Sequence, residues 1–534
     1  MMLQDGGDET PRATVELKLD HDEALLASLG YKQEFRRVFN PIEVFGVGFS
    51  IIGLLPSMAS VLVYSIPYGG AAAMVWGWGV CAIFLTVIAL AMAELGSAAP
   101  TSGGLYYWTF MFSSHKWRCL LSWIVGYSNT VGNIASVASV DWGCAVQIMA
   151  AASIGSDLSF TATVGQTFVV YAGLLICHAI ICSLNPKVIA RLQTPFIVVN
   201  VVLCLVVIIG VPAATPKVFK NKASYAFGDF QNFSGWPNGY AFILSFLAPL
   251  WAIGAFDSTV HISEEATNAD VAIPYAIILA ATSSGILGWA INVALTFCMG
   301  TDLEGILDSP IGQPMATILF NSFGQRGTLA FWAWIIIIQF TMGMSMLTTC
   351  SRQIFAFSRD GGLPLSRWLY NVNDYTHAPV NCVWFAAFAS LLLGLLAFAG
   401  ANAIGAIFSL VVTGQYLAYS IPISARFIGN KEIKRGPFSL GKFSLPVAVI
   451  AVIWMAFIIV VFLFPAAPHP DSSNMNYTVV VLGGTLVLAV AYFYLPVYGG
   501  VHWFKGPVQT IGNLTISSEE TRQSDTKDED DSGS

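Results

Sequence analysis

The chain has 534 residues, of which 55% are hydrophobic and 10% charged, with a formal net charge of −7. Soluble domains average about 25% charged residues, so this composition excludes an ordinary globular protein in water. No basic patch with interleaved aromatics is present, which excludes a nucleic-acid partner.

The chain opens with about 40 polar residues carrying Asp5, Asp8, Glu9, Asp20, Asp22 and Glu23. No cleavable signal peptide is visible there, so the first apolar span is expected to serve as a retained anchor. Apolar spans follow near 44–66, 73–95, 119–143, 164–185, 192–213, 240–262, 275–299, 328–350, 379–398, 402–424, 444–465 and 477–497. Each is close to the roughly 20 residues that cross a bilayer as a helix, and Gly400-Ala401-Asn402 divides the long run 375–425 in two. Backbone groups in lipid must bond internally, and no alternating barrel pattern appears, so an all-α integral membrane protein is expected. The chain ends in an acidic, Ser-rich tail with Glu519, Glu520 and Asp528–Asp531. The expected domains are a disordered cytoplasmic tail over 1–40, a membrane domain over 41–500 and a disordered cytoplasmic tail over 501–534.

Basic residues orient the spans. With the N-terminus cytoplasmic, the inside carries Lys32, Arg36, Arg37, Lys116, Arg118, Lys187, Arg191, Arg352, Arg359, Arg367, Arg426, Lys431, Lys434, Arg435, Lys442 and Lys505. The outside carries only Lys217, Lys220, Lys222 and Arg326. This asymmetry favours an even number of spans with both termini inside. The sequons at Asn232 and Asn476 then fall outside, and the one at Asn513 falls inside, where it would stay unmodified. The nine cysteines show no metal-ligand or CxxC spacing and read as small apolar packing residues, so no metal or cofactor is expected.

Spans 1 and 6 carry breakers. Span 1 reads Phe49-Ser50-Ile51-Ile52-Gly53-Leu54-Leu55-Pro56-Ser57, and span 6 reads Trp251-Ala252-Ile253-Gly254-Ala255-Phe256-Asp257-Ser258. They hold corresponding positions if the first ten spans form two groups of five, as in an inverted-repeat transporter with its site at the repeat interface. A break frees amides for a carboxylate, here near Ile51–Gly53, and carbonyls for a cation. Gly and Pro in membrane helices also serve packing alone, and that reading stands beside the first. Asp257 is an intramembrane acid and so a candidate to hold a proton or a cationic group. The alternative is that span 6 ends early and Asp257 sits at its mouth, with Glu264 and Glu265 just beyond. Asn129, Asn133 and Ser136 share one face of span 3, where they either line a cavity or hold helices together. Tyr127, Trp251 and Phe256 are candidates for a cage around an ammonium group. Asp141 is a second intramembrane acid. His178 reads as a packed neutral residue, and His261 is a candidate proton relay. The polar residues Gln339, Ser345, Ser409, Thr413, Gln415 and Tyr416 on spans 8 and 10 read as packing.

Four stretches resemble a known group. They are FSIIGLLPS at 49–57, AELGSAAPTSGGLYYW at 93–108, IGAFDSTVHISEEATNADVAIP at 253–274, and SRQIFAFSRDGGL at 351–363. Over about 40–500 the chain resembles the amino acid–polyamine–organocation superfamily, and within it the fungal amino acid/choline transporter family that includes GABA permeases. The resemblance implies a five-plus-five inverted repeat with two additional helices and substrate contacts at the breaks of spans 1 and 6. It also implies transport of amino acids, GABA, polyamines or choline, usually with protons. Many superfamily members have Gly-Phe-Glu in span 6 where this chain has Ala255-Phe256-Asp257, a shorter acid beside a larger small residue.

The sequence therefore leads to a proton-coupled importer of a small amine-containing solute, an amino acid or GABA first, a polyamine or choline next. Ser50, Ile51, Ile52, Gly53, Ser57, Asn129, Asn133, Trp251, Gly254, Ala255 and Phe256 are the expected substrate contacts. Asp257 is the expected proton site, and Glu264, Glu265, Arg352, Arg359 and Asp360 the expected inner gate. A fungal plasma membrane is the expected location, with a vacuolar membrane as the alternative. A non-transporting amino-acid sensor is a rival, although tails of about 40 residues are short for signalling. A membrane enzyme would need a catalytic constellation, and His115 beside Lys116 has no partner at helical spacing, so no enzyme is expected.

Overall fold

The computed structural model describes residues 20–184, 186–429, 435–465, 467–470 and 475–510. The acidic ends of both tails, the sequon at Asn513 and the basic pair Lys431 and Lys434 lie outside the described residues. Among those described, ten helices are long and apolar enough to cross a membrane, and two shorter apolar helices, Asn238–Ala252 and Thr478–Tyr494, lie at spans 6 and 12. Together they occupy the expected places of about twelve spans. The protein is an all-α integral membrane protein.

Local chemistry sets where the spans start. Asn40 and Glu43 form a reciprocal capping box with Pro41 as the first helical residue, so span 1 begins with its free amides satisfied. Thr163 and Gln166 do the same for span 4. Span 3 runs from Arg118 to Gly155 without a break. The helix Pro314–Arg359 is two helices joined at Gly324, whose φ of 68° and ψ of 179° end the first, so span 8 proper starts after it.

The first ten spans form two groups of five. Span 2 packs on span 7 and span 3 on span 8, equivalent positions in the two groups. Spans 1 and 6 are each split into halves. Half 1a is Pro41–Ile52 and half 1b is Leu54–Val61. The last turns of 6a are Leu247–Ala252, and half 6b is Ser258–His261. Half 6a packs on 1b and half 6b on 1a, so the broken helices lie antiparallel with their breaks side by side. The end of the bundle where span 1 begins is called proximal below, and the opposite end distal.

Within the expected tail 1–40, residues 20–40 carry local structure. Helix His21–Ser28 starts on an Asp20 side-chain cap, and the N–H groups of Val38 and Phe39 donate to Glu265 O. Backbone hydrogen bonds of this kind order the segment despite its polar composition. Among the described residues, Lys32 N–H donates to Thr510 Oγ1 and Thr510 N–H to Gly30 O. Residues 501–510 are ordered as well, with a short helix Gly500–Trp503.

Candidate functional site

The break in span 1 falls on Gly53, which has φ 44° and ψ 56°. Only glycine adopts this left-handed conformation without penalty, and a Cβ here would also come 2.8 Å from Met342 Sδ on span 8. Gly53 N–H donates to Phe49 O at 3.0 Å, and Ser57 Oγ donates to Ile52 O at 2.6 Å. The expected free amides at Ile51–Gly53 are therefore displaced. The donors without an intrahelical acceptor belong to the first turn of 1b, at Leu54 and Leu55. Pro56 sits in that same first turn, where its missing N–H removes nothing, so Gly53 alone makes the break. Ser50 is buried beside it, with its hydroxyl unpartnered.

Span 6 unwinds over Ile253–Asp257. Ile253 N–H bonds back to Pro249 O and Gly254 N–H to Trp251 O. Gly254 is tight, since a Cβ would meet Leu250 O at 2.9 Å. Ala255 then takes a φ of 59°, a left-handed conformation that costs about 1–2 kcal/mol for a residue with a Cβ. Phe256 packs on Tyr419 of span 10, and Trp251 packs on Phe408 with centroids 4.7 Å apart while its Nε1 donates to Ser139 Oγ at 3.1 Å.

Asp257 is fully buried, so it does not stand at an open mouth. Tyr419 OH donates to its Oδ1 at 2.7 Å. Its Oδ2 has no hydrogen-bond donor and lies 3.4 Å from His261 Nε2. His261 Nδ1 meets Ser102 O at 2.9 Å, and Asn129 Nδ2 reaches His261 Nε2 at 3.2 Å. Asn133 Nδ2 donates to Asn129 Oδ1 at 2.9 Å, which joins span 3 to the break in span 6.

Just proximal of this network lie two buried ion pairs. Arg359 grips Glu264 with both guanidinium nitrogens, at 3.0 and 3.1 Å, and Arg352 Nε donates to Glu265 Oε1 at 2.7 Å. Thr101 Oγ1 and Ser102 N–H also donate to Glu264 Oε1. Burial pushes the Glu264 carboxyl up, but the Arg359 charge and these hydrogen bonds outweigh it and hold it below the usual carboxylate range. Asp360 accepts from Tyr106 OH at 2.7 Å and from Val508 N–H at 3.0 Å. At the distal end a cavity is lined by Tyr64, Leu244, Leu247, Ser409 and Asn476.

Some expected groupings do not form. Asp141 meets His178 at 3.0 Å, both fully buried. Asp141 lies twelve residues along span 3 from Asn129, ~18 Å up the helix, and does not join Asp257 as a second acid. Nor do the three aromatics form a cage. Tyr127 packs on Trp123 and Phe357, whereas Trp251 packs on Phe408 and Phe256 on Tyr419. Sequence reasoning missed Tyr419, Ser102 and Met342. Tyr419 follows Gln415 by one helical turn, and that i+4 spacing was the available signal; nothing in the sequence marks Met342.

The chain matches the family model for amino acid permeases over residues 39–486. It is 40% identical over 479 residues to the GABA-specific permease of Saccharomyces cerevisiae, covering 89% of this chain and 84% of the relative. It is 38% identical over 493 residues to an uncharacterised amino-acid permease of Schizosaccharomyces pombe, covering 92% and 89%. Amino-acid permease 2 of Neurospora crassa is 33% identical over 497 residues, covering 93% and 91%. With its helical membrane bundle and paired breaks, the chain belongs to the amino acid permease family of the amino acid–polyamine–organocation superfamily, a family of transporters and not of enzymes.

Proposed function

We propose that this permease imports a small zwitterion, GABA or another amino acid, together with a proton. The observation that carries the reading is the pair of adjacent breaks, one presenting amides and the other a fully buried acid with a bare oxygen. The substrate carboxylate meets the Leu54 and Leu55 N–H groups, with Ser50 Oγ beside them. The ammonium meets carbonyls of the unwound segment 253–256. Asn129, Asn133, Trp251 and Phe256 bound the space between. GABA is favoured by the relative at 40% identity that bears its name. A polyamine is disfavoured because the second acid is paired elsewhere, and choline because the aromatic cage does not form.

Asp257 is the proton site in this reading. Its proton biases the transport cycle only through a difference in affinity between the two access states. The Glu264–Arg359 and Glu265–Arg352 pairs, with Asp360, close the proximal end as an inner gate. The proximal end faces the cytoplasm, as its basic loops favour, and the membrane is the plasma membrane.

The test is uptake of labelled GABA, an ordinary amino acid, spermidine and choline by purified protein in liposomes, with and without an inward proton gradient. Gradient-driven accumulation of GABA or an amino acid, lost in Asp257→Asn, is the expected result. Accumulation of spermidine or choline would overturn the substrate. Accumulation indifferent to the gradient would overturn the coupling.

A further inference from the structure

We propose that His261 and Asp257 form a one-proton switch. Its occupancy makes or breaks the tie between half 6b and span 3, and so sets how firmly the proximal gate is held. This rests on the proton-coupled reading above and names the device by which the proton acts.

The hydrogen-bond geometry leaves little choice of state. Ser102 O can only accept, so His261 Nδ1 carries a hydrogen. In the neutral ring Nε2 is then a bare acceptor, and it takes the Asn129 amide N–H at 3.2 Å. Facing it at 3.4 Å is Asp257 Oδ2, a second acceptor with no donor of its own. Two buried acceptors that face each other are one proton short.

An added proton can sit on Nε2 or on Oδ2, the two atoms that face each other. Either way the Nε2–Oδ2 gap closes into a hydrogen bond, and Nε2 is no longer available to Asn129. Protonation therefore exchanges a bond between spans 6 and 3 for one within span 6. Span 10 contributes Tyr419 to Asp257, and span 3 contributes the uncharged Asn129. Span 8 contributes Arg352 and Arg359, each paired with Glu265 or Glu264. The acids on spans 1 and 7, Glu43 and Asp270, sit in the first turns of their helices.

The exchange reaches the gate through one residue. Ser102 accepts from His261 with its carbonyl and donates its N–H to Glu264 Oε1, which also receives Arg359 Nη2. Half 6b, Ser102 and Glu264 thus form one hydrogen-bonded body. That body is tied to spans 3 and 8 through Asn129, Arg352 and Arg359. The Asn129 tie is the one that a proton can remove, so proton binding loosens the closed proximal end while both ion pairs persist.

The experiment is hydrogen–deuterium exchange of the full chain in nanodiscs at about pH 5 and about pH 8, the interval in which histidine chemistry acts, corrected for intrinsic exchange. Segments 98–106 and 258–266 are read. Wild type should lose protection at the acid pH by about 5-fold or more, the low end of ordinary coupling. His261→Gln, which removes the ring nitrogen that Asn129 and Asp257 compete for, should show no pH response. Asn129→Asp should invert it, because a carboxylate holds the protonated ring. An unchanged response in His261→Gln, or a response of the same sign in Asn129→Asp, overturns the switch. If wild-type uptake is gradient-driven but the response survives in His261→Gln, the switch fails and the coupled reading stands. If uptake ignores the gradient while the response depends on His261, the coupled reading fails and the switch stands as a pH-sensitive gate.

Discussion

Among the described residues, two buried Asp–His pairs place the same two side chains in different settings. Asp141 and His178 sit on continuous helices, with Nδ1 at 3.0 and 3.1 Å from the two carboxylate oxygens. Gly343 of span 8 closes over them so tightly that a Cβ would lie 2.2 Å from Asp141 Oδ1. Asp257 stands at the start of half 6b, just after the break, and His261 at its end. There the distance is 3.4 Å, and the ring has a competing partner in Asn129. Closely packed continuous helices leave these side chains one arrangement. Beside a broken helix, the ring has two partners within reach.

The comparison can be broken by exchanging losses. Asp257→Asn is expected to reduce gradient-driven accumulation by about 5- to 150-fold, the range of ordinary coupling free energies, with little change in thermal stability. Asp141→Asn should do the reverse, lowering stability by about 3–5 kcal/mol because it leaves a buried partner uncompensated, while the folded fraction keeps its gradient response. Thermal unfolding in detergent and uptake in liposomes separate the two. Equal losses of transport in both variants would mean that the pairs share one role.

Glu264→Gln should also cost about 3–5 kcal/mol by stranding Arg359, and should raise accessibility at the proximal end to thiol reagents. The Glu264 carboxyl is held low, so its contribution is complete above the ordinary carboxylate range and is lost only as pH falls below that range. A proximal end that opens between about pH 8 and about pH 5 cannot owe the change to Glu264, and this isolates the His261 switch.

Gly53→Ala should cost about 1–2 kcal/mol for the left-handed backbone, with an added clash against Met342 that Met342→Ala relieves. A double-mutant cycle on stability measures that relief. Ser57→Ala should have the smallest effect, about 1 kcal/mol, because it removes only the hydroxyl that satisfies Ile52 O.

Much of the fold was legible because a bilayer leaves few options. A charge-free run of sufficient length has to be a helix, so the twelve spans and their order followed from spacing. Gly53 and Gly254 were visible as breakers, and Asp257 as an acid in an apolar run. The site was legible only in outline. Which breaker acts depended on the register of 1b, which puts Pro56 in a first turn and moves the free donors to Leu54 and Leu55. The backbone ties of Val38 and Phe39 depended on Glu265, more than 200 positions away, whose carbonyl accepts from both.

Sequence alone determined the membrane class, the span count, the paired breaks and the presence of an intramembrane acid, because these follow from local hydropathy and backbone chemistry. Only the tertiary structure decided which polar groups meet. It gave Asp141 to His178 and Asp257 to Tyr419 and His261, and it placed Ser102 between the ring and Glu264. Those partnerships join helices far apart in sequence, and in lipid a buried polar atom is committed by whichever neighbour the packing brings within hydrogen-bond reach.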